Sequence, residues 1–203
     1  MSAAQAPSTN LEKYESGNPI LQRLIRRFHH RITEVIEPLQ VKTVLDVGCG
    51  EGFLSRVLLD RFPGIEVSGI DASDAAVAMA STRCPEGSFR VAKLDDLERW
   101  SERYDLVVCS EVLEHVEEPA RGIAALSGLA PHAVLTVPWE PWFQLANLAR
   151  GKYLKDWGNH PEHIQRWTMG GFLKLTAPHF ERLHAQTLFP WTLFLGKSRA
   201  PTR

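Results

Sequence analysis

Glu111, Glu114 and His115 set two carboxylates and an imidazole close together, directly after the apolar run Leu106-Val107-Val108-Cys109. A helix starting near Glu111 would place them at i, i+3 and i+4, on one face, with Val112, Leu113 and Val116 packed inward. Such a set can hold a divalent cation. His115 alone can take up a proton near neutral pH. The glutamates can equally do no more than meet the positive end of a helix dipole. All three readings stay open at the level of sequence. Further on, Asn159-His160-Pro161-Glu162-His163 offers a fourth ligand, His163, with His160 as substitute.

A second chemistry is written into residues 44–52, Val-Leu-Asp-Val-Gly-Cys-Gly-Glu-Gly. The apolar start reads as a buried parallel strand. Gly48, Gly50 and Gly52 then let the backbone turn tightly and approach a ligand without Cβ atoms in the way. The next apolar run, Ile65 to Ile70, ends in Asp71, whose carboxylate is placed to accept hydrogen bonds from ribose hydroxyls. The spacing is G-x-G-x-G, and Phe53 stands where a dinucleotide fingerprint has its third glycine.

With these residues in view, Asp46-Val47-Gly48-Cys49-Gly50-Glu51-Gly52 resembles the first motif of class I S-adenosylmethionine-dependent methyltransferases. Gly69-Ile70-Asp71-Ala72-Ser73 resembles their second motif, and Tyr104-Asp105-Leu106-Val107-Val108 their fourth strand. The resemblance runs over most of the chain. It implies a cofactor, S-adenosyl-L-methionine, with Asp46, Gly48, Cys49, Gly50 and Gly52 along its methionine and ribose side. It further implies that Asp71 grips both ribose hydroxyls, that Leu94 offers its backbone N–H to adenine, and that Ala72 and Ser110 complete the set. The third motif departs from the pattern. Lys93 stands where the family has an acidic group for the adenine amine, and lysine carries only donors. Asp95 and Asp96 are the substitutes at hand.

The Glu-x-x-Glu-His word is similar to that of two narrower groups. These are the metal-dependent small-RNA 3′-terminal 2′-O-methyltransferases and the O-methyltransferases of ubiquinone biosynthesis. The resemblance implies a divalent metal ion on Glu111, Glu114, His115 and His163, with Glu111 and His115 as the catalytic groups.

The elements that must position these groups follow from apolar periodicity. Asn18-Pro19 opens a helix with a cap and a proline at its first turn. Leu21, Leu24, Ile25, Phe28, Ile32, Val35 and Ile36 form its apolar stripe, with Arg23, Arg26, Arg27 and Arg31 off it. Strands are expected near 43–47, 66–70, 89–92, 105–109 and 133–137, alternating with helices near 52–61, 73–81 and 118–128. A helix near 169–177 and strands near 181–187 and 191–196 complete the chain. The expectation is an α/β fold, one doubly wound Rossmann-like domain over 19–203 behind a polar segment 1–18. The resemblance implies a seven-stranded, mostly parallel sheet in the order 3-2-1-4-5-7-6, ending in an antiparallel hairpin.

The 203 residues, 44% hydrophobic, suffice for one sizeable core. A net charge of −1 gives no field that draws the chain onto nucleic acid. Cys49, Cys84 and Cys109 read as reduced thiols of a cytoplasmic protein. No apolar run has the length of a membrane span, and Met1 to Asn10 has no signal-peptide core. His29, His30, His132, His179 and His184 read as surface or capping residues.

Four of the six tryptophans, Trp139, Trp142, Trp157 and Trp167, fall in an insertion-like stretch 139–167, with Tyr153, Arg150, Lys152 and Lys155 between them. They can pack over the sheet edge as core, wall a pocket for an apolar acceptor, or place 139–157 on a membrane surface. The leading reading is an O-methyltransferase for a small, hydrophobic or lipid-linked acceptor, with no obligate protein partner. The alternatives are an RNA 3′-terminal 2′-O-methyltransferase and a non-catalytic cofactor-binding module.

Overall fold

The computed structural model describes residues 9–139 and 165–200. Seven strands form one sheet in the order β3-β2-β1-β4-β5-β7-β6. They are β1 (Thr43–Val47), β2 (Glu66–Asp71), β3 (Ser88–Val91), β4 (Leu106–Ser110), β5 (His132–Pro138), β6 (Phe180–Leu188) and β7 (Trp191–Ser198). The first five pair in parallel, whereas β7 runs antiparallel to both β5 and β6. The expected strand order and terminal hairpin are therefore observed.

Strand side chains alternate between the two faces, and both faces are covered, so the central strands are apolar almost throughout. Val44, Leu106 and Val108 point to one core with α2 (Pro19–Ile36) and α3 (Phe53–Arg61). Leu45, Val107 and Cys109 point to the other, beneath α5 (Pro119–Leu129) and α6 (Met169–Thr176). A further helix, α4 (Asp74–Arg83), joins β2 to β3. In α2 the Asn18 side chain accepts from the backbone N–H of Ile20 and Leu21, and Pro19 sits in the first turn. Its stripe buries Ile25, Phe28, Ile32 and Ile36, each worth about 1.5–3 kcal/mol of apolar transfer.

Three features differ from expectation. The polar amino-terminal segment contains a helix, α1 (Thr9–Glu15), which lies against α2. His29 is buried rather than a surface residue, because it falls on the same helical face as Ile25 and Ile32. Finally, no α-helix starts at Glu111: only Leu113–His115 coil, as a short 3-10 turn. Residues 140–164, including His160, His163, Trp142, Tyr153 and Trp157, lie outside the described residues.

Candidate active site

At the carboxyl end of β1 the chain turns through Gly48 at φ +70° and Gly52 at φ +78°, a region where side chains are strained. A Cβ on Gly48 would also lie 2.2 Å from Val112 Cγ2. The backbone N–H groups of Gly48 and Cys49 both donate to Ile70 O, at 2.8 and 2.9 Å, which ties the loop to the end of β2. One residue on, Asp71 accepts from Gly50 N through Oδ2 and from Ser73 N through Oδ1, both at 2.9 Å. The two carboxylate oxygens thus face the glycine loop and the start of α4, at the crevice of an open α/β sheet.

Beside this loop lies a small cleft, partly open to solvent. Asp46, Glu51 and Glu111 line it with Ser110, Cys49 and Gly48, and Tyr14 and Phe53 close one side. Asp46 is 1% exposed and accepts from Ser55 Oγ at 2.6 Å. Burial lifts its carboxyl from 3.8 to about 6, against the opposing effect of the Ser55 bond. Burial also raises the thiols of Cys49 and Cys109 far above their ordinary range. All three cysteines are buried and unbridged, as expected, and do not act as thiolates.

Glu111 sits in the left-handed region, φ +56°, with its N–H donating to Thr136 O at 3.1 Å. Its Oε2 is 2.5 Å from Lys13 Nζ of α1, and Oε1 accepts from Trp191 Nε1 of β7. Ser110 Oγ and Thr136 Oγ1 share a hydrogen bond at 2.9 Å. The left-handed turn breaks the face that a helix would have given Glu111, Glu114 and His115. Glu114 instead turns into the protein, 1% exposed, and His115 stays outside. Neither Glu114 carboxyl oxygen has a hydrogen-bond partner among the described residues. Burial, then the charge of Glu111, pushes this carboxyl well above its ordinary value.

No group of three His, Cys, Asp or Glu side chains among the described residues is arranged to hold a metal. His163 lies outside them. Of the other expected site residues, Ala72 is exposed just past Asp71, and Leu94 buries its side chain against Gly122. Asp96 does not stand free to replace an acidic group at Lys93, because its Oδ2 accepts from Lys93 N at 2.8 Å and caps the following turn. Asp95 is exposed.

Four residues of the site escape the motif-based reading: Lys13, Tyr14, His29 and Trp191. Tyr14 stacks flat on Phe53 (centroids 4.1 Å apart, 6° between planes) and bonds His29 Nε2 through its hydroxyl at 3.0 Å. The Arg83 guanidinium lies 3.7 Å from the Phe53 centroid. The helical spacing of His29 from Ile25 and Ile32 was the one signal available for this group.

A cofactor with a sulfonium and an ammonium fits this cleft on chemistry. Three of its lining residues are acidic, and none of the described lining residues is cationic. The same lining is unsuited to a pyrophosphate, which needs donors and positive charge.

A family model described as a methyltransferase domain matches residues 44–130. The ubiquinone biosynthesis O-methyltransferase of Coxiella burnetii is 34% identical over 168 residues, covering 71% of this chain and 70% of that protein. That of Nitrosomonas europaea is 41% identical over 103 residues, 48% of this chain. The chain spans 43% of the length of this second relative. Among solved structures, magnesium protoporphyrin IX methyltransferase from Synechocystis PCC 6803 with bound SAH superposes at a TM-score of 0.69. Its sequence is 22% identical, with 94% of this chain and 95% of that one covered.

Proposed function

The chain belongs to the class I S-adenosylmethionine-dependent methyltransferases, and from that premise we propose that it methylates a hydroxyl of a small, hydrophobic or lipid-linked acceptor. The observation that carries this reading is the cleft beside Gly48, lined by Asp46, Glu51 and Glu111, next to a glycine loop whose Gly50 N donates to Asp71. The named relatives act in ubiquinone biosynthesis, which favours oxygen as the accepting atom.

The bound cofactor supplies an electrophilic methyl group with a good leaving group. The chain's own residues then have two tasks, alignment and proton removal. Asp71 releases Gly50 N or shares its carboxylate to hold the ribose. Asp46 and Glu51 offset the positive end of the ligand. Glu111, fixed by Lys13 and Trp191, orients the acceptor hydroxyl, and exposed His115 passes its proton to solvent. Both oxygens of Glu111 are already engaged, by Lys13 and Trp191, which suits orientation better than proton abstraction.

A metal-assisted variant draws support from one observation, the buried Glu114 carboxyl near Glu111, without hydrogen-bond partners among the described residues. It requires His163 and a rearrangement of Glu111, Glu114 and His115, and a bound cation would lower the pKa of the acceptor hydroxyl. RNA as acceptor is disfavoured by a net charge of −1. No helix among the described residues is long and apolar enough to cross a membrane. Surface attachment through 139–157 belongs to the proposal.

The test is transfer of label from methyl-labelled cofactor to a panel of phenols, catechols and lipid-linked phenols, set against short RNA. Labelled ether products support the reading. Labelled RNA, or binding with no turnover on any acceptor, goes against it.

A further inference from the structure

Arg83, the last residue of α4, does not line the cleft, yet its guanidinium touches two residues that do. Nη1 donates to the carbonyl of Glu51, in the glycine loop, at 2.9 Å. The guanidinium carbon lies 3.7 Å from the centroid of the Phe53 ring, at the start of α3. Tyr14 stacks on the same ring, with centroids 4.1 Å apart and planes 6° from parallel. Two groups at those heights would overlap on one face, so Phe53 is held between Tyr14 and Arg83.

The loop is anchored in two halves. Its first half, Gly48 to Gly50, is tied to the end of β2 through Ile70 O and the Asp71 carboxylate. Its second half, Glu51 to Phe53, is tied to α4. Besides the two Arg83 contacts, Cys84 Sγ lies 3.5 Å from Gly52 O, and a Cβ on Gly52 would meet Ala80 Cα at 3.0 Å. Gly52 caps α3 without a side chain to offer its first turn, so this half has little of its own to hold it. A planar guanidinium can donate in its plane while a ring packs on its face, whereas an ammonium cannot do both as well. Glu51 and Phe53 both present side chains to the cleft, and that of Glu51 is buried.

We infer that Arg83 is a positioning residue for cofactor binding: it fixes the Glu51 peptide and the Phe53 ring, so that the second half of the loop forms a ready-made wall. This inference rests on the S-adenosylmethionine reading above and deepens it with a residue from outside the cleft. A wall already ordered binds without the entropy loss of ordering it when the ligand arrives, and without Arg83 that loss falls on the binding step. Arg56 supplies the contrast. Its side chain lies on the neighbouring surface and pairs with Asp60 and Glu86, at 2.8 and 2.6 Å.

The test is calorimetric titration with S-adenosylhomocysteine, which needs no acceptor, at a temperature where every variant is folded by thermal melt. The proteins are wild type, Arg83→Met, Arg83→Lys and Arg56→Met. The expected result is roughly 5- to 20-fold weaker binding by Arg83→Met, a smaller loss of about 3-fold by Arg83→Lys, and a change below about 2-fold in Arg56→Met. Binding by either Arg83 variant within about 2-fold of wild type, or equal weakening by Arg56→Met, overturns the inference and leaves the cofactor reading standing. Absence of binding by wild type overturns the cofactor reading and this inference with it. Amide hydrogen exchange without ligand separates positioning from bulk stability, and Arg83→Lys carries it even if Arg83→Met fails to fold. The Gly52 amide should exchange faster in the variant, while those of Val44 in β1 and Val67 in β2 keep their wild-type rates. Unchanged exchange at Gly52, or equal acceleration across the sheet, would overturn the inference.

Discussion

Lys13 Nζ of the amino-terminal helix lies 2.5 Å from Glu111 Oε2, at the end of the cleft, while Trp191 Nε1 holds the other oxygen of the same carboxylate. One partly buried ion pair therefore joins α1 to the strand ends and brings Tyr14 over the site. Lys13 Nζ also sits 5.3 Å from the Tyr14 ring centroid and 5.9 Å from that of Trp191.

Lys13→Met should loosen α1 while leaving the sheet intact. Partly shielded pairs of this kind contribute about 1 kcal/mol or less, so the melting temperature should fall by only a few degrees. Cofactor affinity should fall about 3- to 10-fold, because α1 carries part of the cleft wall. Calorimetry and thermal melts on the same samples check both values. An unchanged affinity would show that α1 plays no part in the site.

Gly48→Ala should be among the most damaging single changes. It combines φ +70° with a Cβ placed 2.2 Å from Val112 Cγ2. Backbone strain of this type costs about 1–3 kcal/mol, and the clash adds to it. Cofactor binding should be lost. Adding Val112→Ala should restore part of the stability, measured by denaturant titration, since it removes the clash and leaves the strain.

Much of the fold was legible because central strands buried on both faces write unbroken apolar runs. Leu106–Cys109 is such a run, Val44–Val47 is one but for Asp46, and glycines mark where β1 ends. The site was legible only in part. Asp46, Gly48, Cys49, Ser110 and Glu111 do line the cleft. The left-handed turn at Glu111 has no sequence signature in a non-glycine residue, so a helical face was expected where a 3-10 turn stands. The helix Thr9–Glu15 was missed for another reason: a seven-residue, mostly polar stretch has no periodicity of its own and is held by contacts of Lys13 and Tyr14 far along the chain.

Asp46 predicts a pH dependence of defined sign. Its folded-state carboxyl titrates at about 6, above the ordinary 3.8, because it is buried. The protonated form is the one folding favours. This group's contribution to stability is therefore greatest below pH 4 and declines as pH rises through 6. A cationic ligand favours the opposite form, so binding should release a proton near pH 6 and weaken below it. Titrations in two buffers of different ionisation enthalpy count that proton. Asp46→Asn should abolish the release and narrow the stability difference between pH 5 and 8.

His115 and the metal proposal separate cleanly. His115→Ala should leave cofactor affinity within about 2-fold, since the side chain is outside the cleft, and should cut turnover at least 10-fold. Full activity would remove His115 from the proton path. Turnover unchanged after exhaustive chelation would rule out the cation on Glu111, Glu114, His115 and His163, whereas loss restored by one added metal would establish it.

The central claim, that the crevice between the glycine loop and Asp71 binds S-adenosylmethionine, is most directly tested by calorimetry on the purified chain beside Asp71→Ala. The account predicts one-to-one binding of both the methylated and the demethylated nucleoside by wild type, and loss of both in a variant that still melts cooperatively. No heat with either ligand, or undiminished binding by Asp71→Ala, would contradict it.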